Sequence, residues 1–204
     1  SGLVNGDTTS VLSGSPILTN SSTTTTGVGS YVITNSAGSL SASNYSLFFT
    51  NGTLTINPRP IGLAGTRAYD ATTNASFSIL TITNLVGSDS ITTSSGSAWT
   101  TNANVGTNAI VSGGTLTISG AKSTNYTTTG ATGSITVSNA PLTVTANNDT
   151  KTYGNTKTYG AGSTAFTSSG LQGLESIGSV TITASGGLGA TAPPGVYSLT
   201  PSAA

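Results

Sequence analysis

The chain has no cysteine, no histidine and no methionine, and only 5% of its 204 residues are charged. Without Cys and His, the Ser–His and Cys–His arrangements of nucleophilic hydrolases are excluded, and zinc has none of its usual nitrogen or sulfur ligands. The five basic and five acidic residues are spread along the chain and cancel, so no basic patch exists for nucleic-acid phosphates. No apolar run approaches the ~18 residues of a membrane-spanning segment. We therefore predict no enzymatic activity, no cofactor, no nucleic-acid partner and no membrane insertion of this segment.

The few carboxylates are too dispersed to predict a site. They are Asp7, Asp70, Asp89, Asp149 and Glu175. Calcium normally takes six to eight oxygens with several carboxylates together, and no acidic pair lies close in this sequence. A loop site built from carbonyls and one Asp is the alternative. We interpret these residues as turn or surface carboxylates and predict no catalytic or metal-binding residue.

The most prominent pattern in the sequence is a set of short runs in which threonine alternates with β-branched or aliphatic residues. Period-two alternation is typical of half-buried antiparallel strands. Turn residues such as Asn51-Gly52 separate the runs, and no stretch has helical spacing with credible caps. The predicted strands are 31–34, 52–56, 79–83, 115–118, 134–137, 142–145 and 180–183. The fold class is therefore all-β.

One motif order recurs along the chain. It runs Leu-Val-x-x-Asp, a Ser/Thr/Gly stretch, Val-Gly, Asn-Tyr, and Gly-x-Leu/Ile-Thr. Copies start at Leu3, at Leu85 and, with Glu in place of Asp, at Leu171. The spacing of roughly 80 to 86 residues is too long for a solenoid coil and suits a string of small domains.

Units of this size with six or seven strands fit tandem immunoglobulin-like β-sandwiches arranged end to end. Prolines follow two terminal strands, in 57–60 and 138–141, and stiffen the connections. We predict an incomplete rear part of a repeat at 1–57, a whole repeat at 58–139 and an incomplete front part at 140–204. The first piece lacks an opening strand and the last lacks closing strands, so we expect a segment of a longer array. The end of one chain could complete the start of another.

Two family resemblances cover nearly the whole chain. The run Arg67-Ala68-Tyr69-Asp70-Ala71-Thr72-Thr73, followed by Asn104-Val105-Gly106 and Asn125-Tyr126, resembles the YDG repeat domain, with Ala71 in place of the motif's Gly. The segment from Pro141 through Lys151-Thr152-Tyr153-Gly154 resembles the front of an MBG (mostly bacterial immunoglobulin-like) domain. Residues 1–56 resemble the rear of another. Lys-Thr-Tyr-Gly occurs twice, at 151–154 and 157–160.

The resemblance implies β-sandwich repeats of large bacterial surface proteins of the adhesin or filamentous-haemagglutinin kind. We therefore expect an extracellular or cell-surface structural segment, either an adhesin stalk or a building block of a filament or matrix. The expected partners are neighbouring repeats, or copies of the chain, that associate by strand addition or end-to-end packing.

The alternative function is a glycan-binding module, with host or matrix glycans gripped by sandwich-end loops. Trp99, the single Trp, is the candidate stacking residue; the competing interpretation makes it core or joint packing. Three further ideas are weaker on sequence grounds. They are an isopeptide bond at Lys122, Lys151 or Lys157, binding of a flat crystal face by Thr-x-Thr runs, and glycosylation at Asn-x-Ser/Thr sites.

Overall fold

The computed structural model describes residues 2–202 and is all-β, as the sequence predicts. Three single-turn 3-10 segments, at Thr9–Val11, Phe77–Ile79 and Ser123–Asn125, are the helical elements of this part of the chain. Every predicted strand has its counterpart. The strands are β1 Ile17–Thr19, β2 Gly29–Ser36, β3 Gly52–Ile56, β4 Arg59–Ala68, β5 Asn74–Ser76, β6 Leu80–Ile82, β7 Thr92–Ser95, β8 Ser97–Thr100, β9 Gly106–Ser112, β10 Thr117–Ser119, β11 Tyr126–Ser138, β12 Thr143–Ala146, β13 Phe166–Ser169, β14 Thr181–Ala184 and β15 Leu199–Ser202.

The central repeat holds the main hydrophobic core. Its six-stranded sheet has the order β5-β8-β9-β11-β4-β6, and the two-stranded β7-β10 sheet is separate from it. Alternate residues of the strands point inward, as Leu63 and Ile135 do, at 2% and 0% exposure. The buried cluster is Ile61, Leu63, Ala75, Leu80, Ile91, Ala98, Ile110, Leu116, Tyr126, Ala131, Ile135 and Val137. The core takes side chains from both sheets, which makes the repeat sandwich-like.

The first and last strands of the central repeat pair in parallel, an exception to the antiparallel pairing expected from the alternating pattern. Register partners run from Arg59 with Tyr126 to Ala68 with Ser138, with an irregularity between Thr127 and Thr132. β4 opens the repeat and β11 closes it. Because they run in the same direction, the chain enters at one end of the sheet and leaves at the other.

The first segment repeats part of this sheet in the same register. β1, β2 and β3 form a three-stranded antiparallel sheet in that order. In the β2–β3 pair, Gly29 lies opposite Ile56 and Ile33 lies opposite Gly52. In the β9–β11 pair, Gly106 lies opposite Val137 and Ile110 lies opposite Gly133. These residues occupy the same positions of the repeat as the residues paired between β2 and β3. The sequence repeat is therefore also a structural repeat.

The third segment reproduces the opposite part of the sheet. β12 pairs with β13 through Ala146 and Phe166, as β4 pairs with β6 through Gly65 and Leu80. β14 and β15 form a second antiparallel pair. Because Gly195 corresponds to Gly29 in the repeated motif, β15 is the counterpart of the end of β2. The two end segments therefore overlap in this strand.

The molecule exposes far more surface than a compact protein of its mass. The accessible area is 12685 Å² for 19.9 kDa, whereas a compact monomer of that mass would expose about 8,700 Å². Among the described residues, the third segment contributes only Val180 and Ile182 to the fully buried apolar side chains, and the first segment contributes none. The buried apolar side chains therefore lie mostly in the central repeat, and the two flanking segments bury few of theirs.

Candidate functional site: the joints between repeats

A tyrosine and a carboxylate of the repeated motif hydrogen-bond inside the central repeat. The hydroxyl of Tyr126 donates to Oδ2 of Asp89 at 2.8 Å and accepts from the backbone N–H of Val86 at 2.9 Å. Burial is the main cause that raises the pKa of Tyr126, and the Asp89 carboxylate raises it further. We call this arrangement the tyrosine latch. It ties the start of β11 to the loop between β6 and β7.

The same latch occurs in the first segment. Tyr45 donates to Oδ2 of Asp7 at 2.5 Å, and the N–H of Val4 donates to the Tyr45 hydroxyl at 3.2 Å. The turn that presents the carboxylate is also the same, because the N–H of Asp7 donates to Val4 O at 3.0 Å. The recurrence of Asn-Tyr and Leu-Val-x-x-Asp therefore has a structural cause.

A second recurring contact fixes the start of the strand that follows Val-Gly or Pro-Gly. The hydroxyl of Tyr31 donates to Gly27 O at 2.8 Å, and that of Tyr197 donates to Pro193 O at 2.9 Å. In the central repeat Asn108 takes this position, and its Nδ2 donates to the carbonyl four residues back at 2.7 Å. A side-chain donor thus closes the loop at the exit end of each unit.

The first joint brings the exit loop of the first segment onto the entry end of the central repeat. The N–H of Val28 donates to Oδ1 of Asn125 at 2.9 Å in a partly buried contact. Gly27 lies so close that a Cβ on it would sit 2.9 Å from the same oxygen. Asn125 is the Asn of the Asn-Tyr motif, and Val28 belongs to Val-Gly. Two motifs that are distant in sequence therefore meet across the joint.

The second joint brings the Tyr-Asp-Ala loop of the central repeat onto the third segment. Tyr69 donates its hydroxyl to Oε1 of Glu175 at 2.8 Å. Glu175 stands where Asp7 and Asp89 stand in the other copies, in the same turn. This bond is the main cause that raises the pKa of Tyr69. A Cβ on Gly173 would lie 3.0 Å from the Ala71 methyl, so the two loops are in close contact.

Contacts of Arg67 and Asp70 stabilise the loop that carries Tyr69. Arg67 forms an ion pair with Asp70 and hydrogen-bonds the carbonyl of Thr72. Oδ1 of Asp70 also accepts from the N–H and the hydroxyl of Thr72, each at 3.0 Å. Burial lowers the pKa of Arg67, whose side chain is 7% exposed. Ala71 has φ 58°, the left-handed region that favours glycine, which explains a motif ending in Gly.

The duplicated Lys-Thr-Tyr-Gly lies around an open groove of about 700 Å³ in the third segment. Nζ of Lys157 contacts Oδ2 of Asp149 at 2.8 Å, and the Tyr159 hydroxyl donates to the same oxygen at 3.0 Å. Lys157 is the first cause that lowers the pKa of Asp149. Lys151 instead donates to the carbonyls of Asn155 and Gly189. The two copies thus make different contacts, and the Lys157–Asp149 contact is a partly exposed ion pair.

Trp99 lies on β8 with its side chain outside the core. It is 44% exposed, while its neighbours Ala98 and Thr100 are buried. A Cβ on Gly114 would overlap the indole, so that backbone supports one part of the ring. Its register partners are Asn74 and Ser112. Trp99 is therefore neither a core residue nor a contact of the two joints described above.

Within residues 2–202, no three side chains of His, Cys, Asp or Glu come together in a way that could hold a metal ion. This part of the chain also forms no helix long and apolar enough to cross a membrane.

Comparison with protein families matches two models to this architecture. Residues 1–55 match the MBG domain (YGX type), and residues 50–133 match the YDG domain. The two matches lie in tandem along the chain. Both resemblances expected from the motifs are confirmed for these residues. No curated protein and no solved structure matches the chain. MBG and YDG domains are repeat domains of surface-type proteins.

The sequence identified the motifs but not their contacts. It placed Asp7, Asp89 and Glu175 at one position of the repeat and interpreted them as simple turn residues. The missed signal was that Tyr45 follows Asp7, and Tyr126 follows Asp89, by nearly the same distance. A constant spacing between a carboxylate and a tyrosine in β-repeats could have predicted the latch.

Proposed function

We propose that this chain is a spacer segment of a long bacterial surface protein, a stalk that holds another part of that protein away from the cell. The parallel pairing of β4 with β11 carries the proposal. A domain entered at one end and left at the other adds its full length to an array. A domain whose termini lay together would add little length.

The joints support the same role. A stalk needs neighbouring domains held at restricted angles, and each joint has a short connection together with a side-chain hydrogen bond. The low charge lets neighbouring rods approach without strong repulsion. Extracellular placement is part of the proposal, because surface-type repeat domains suit it.

A second version of this structural role is association of the chains into a filament or matrix. In residues 2–202, β3 and β12 each end a sheet and pair on one side only. An unpaired strand edge can accept a strand of another chain through main-chain hydrogen bonds. The partners proposed here are neighbouring repeats and copies of the chain itself.

Antibody labelling of intact bacteria that express the parent protein tests the stalk proposal. An antibody against residues 59–138 should label cells without permeabilisation, and electron microscopy should place the label outside the envelope. Separate rods would support the stalk, and a periodic fibre would support the filament. Labelling only after permeabilisation would refute both.

Glycan binding at Trp99 is a second candidate because its indole is half exposed on a sheet face beside the polar side chains of Asn74 and Ser112. Aromatic faces stack on sugars, and such a site would have to use this exposed part of the ring. Titration with a broad glycan panel should shift the fluorescence of the single Trp. An unchanged spectrum across the panel, with Trp99→Ala used to define the background, would remove this candidate.

A further inference from the structure

A stretching force applied along the chain passes through the paired strands β4 and β11. Tension applied through the preceding segment reaches the repeat at Arg59, the start of β4. Tension from the following segment reaches it at Ser138, the end of β11. Because the two strands are parallel, the force pulls them along each other in opposite directions.

This geometry loads the connecting hydrogen bonds together. Seven consecutive register pairs join Gly62–Ala68 to 132–138, and two more lie before the irregularity. The ladder is extended by the N–H of Tyr69, which donates to Ser138 O at 2.8 Å. Sliding one strand requires all of these bonds to fail at once. An antiparallel pair pulled from one end instead opens one bond at a time.

The middle of the ladder is also shielded from water. β9 pairs with β11 over residues 133–137, and β6 pairs with β4 over residues 63–65, so neither is an edge strand there. Side chains from both strands fill the core, including Leu63 at 2% and Ile135 at 0% exposure. Water therefore has little access to the hydrogen bonds in this middle stretch before the strands move, and sliding would also pull these side chains out of their packing.

The close approach of the two strands depends on Gly133. This residue has φ 140°, and a Cβ on it would overlap the carbonyl oxygen of Leu63. The equivalent Gly52 of β3 has no such neighbour, and a Cβ there would meet its nearest atom, on Ile33, at 3.7 Å. The Gly of the repeated Gly-x-Leu/Ile-Thr motif thus fits a position where a parallel strand packs closely.

From this geometry we propose that the central repeat is a mechanical clamp that resists stretching of the array by shear of β4 against β11. The proposal deepens the stalk function, on which its biological purpose rests. It adds a second property, since a spacer could be long and still unfold at low force.

Single-molecule pulling on the whole chain in two directions tests the clamp. The chain has no native cysteine, so introduced cysteines are unique handles. Asn57→Cys with Asn139→Cys loads the β4–β11 pair in shear. Asn104→Cys with Asn139→Cys pulls β9 and β11 from the same end, because Gly106 pairs with Val137. All three positions are exposed, and the two variants share the Asn139 handle.

We expect the shear direction to require at least three times the unfolding force of the peeling direction at the same loading rate. The shear event should release about 240 Å of chain, from the roughly 80 residues of 59–138 less their folded length. Equal forces in the two directions, a lower force in shear, or no resolved shear event would overturn the clamp. Surface labelling of cells tests the stalk independently, so the two proposals can fail separately.

Discussion

At the residue scale, Ala71 stands where the Tyr-Asp-Gly motif has Gly, and the fold explains why the motif has Gly there. Its φ of 58° places an alanine methyl in the left-handed region. Ala71→Gly should stabilise the central repeat by about 0.5–1 kcal/mol, because relief of the left-handed strain exceeds the added freedom of the unfolded chain. Urea denaturation measures the effect. Ala109→Gly, in an exposed extended position of β9, is the matched control and should destabilise.

The tyrosine latch gives a second residue-scale prediction. Tyr126→Phe leaves the Val86 N–H and the Asp89 carboxylate without the hydroxyl, so the free energy of unfolding should fall by about 1–2 kcal/mol. Tyr153→Phe, at a tyrosine that is 65% exposed, should have almost no effect. Equal urea midpoints for the two variants would contradict a stabilising latch.

The same latch sets a pH dependence. The folded pKa of Tyr126 is raised, so its contribution is complete below the ordinary tyrosine value, about pH 10, and is lost as the pH rises through the folded pKa. We expect stability to fall above about pH 10, and to fall less steeply in Tyr126→Phe. Thermal melts at a series of pH values measure this. Identical slopes for the two proteins would count against the latch.

At the element scale, the first joint depends on one side chain. Asn125→Ala removes the acceptor of the Val28 N–H, so that amide should exchange with deuterium faster while amides of β11 keep their protection. Asn147→Ala, at an exposed Asn of the third segment, is the control. Unchanged exchange at Val28 in Asn125→Ala would show that this hydrogen bond does not hold the joint.

Elements with a strong local pattern were predictable from sequence. Strands such as Tyr31–Thr34 and Ser134–Val137 alternate cleanly, and the structure has them. β8 and β13 carry no such pattern, because Ser97–Thr100 and Phe166–Ser169 have few β-branched apolar residues and pair only because neighbours present an edge. The parallel pairing of β4 with β11 was also beyond local patterns, since alternation gives the face of a strand but not the direction of its partner.

At the whole-molecule scale, we propose that the units are added end to end. Ten residues of β4 span about 33 Å at the usual rise, so three such units would extend to roughly 100 Å. The joint contacts, the parallel terminal strands and the large accessible area are what we expect of that arrangement. The motifs recur because each unit must close its own loops and meet its neighbours.

Small-angle X-ray scattering of the 204-residue chain at low concentration tests this claim most directly. A rod of that length has a radius of gyration of about 25–30 Å. A compact chain of this size would have about 17 Å. We predict the larger value, with a distance distribution skewed toward long distances and unchanged by dilution. A value near 17 Å with a symmetric distribution would contradict the end-to-end arrangement.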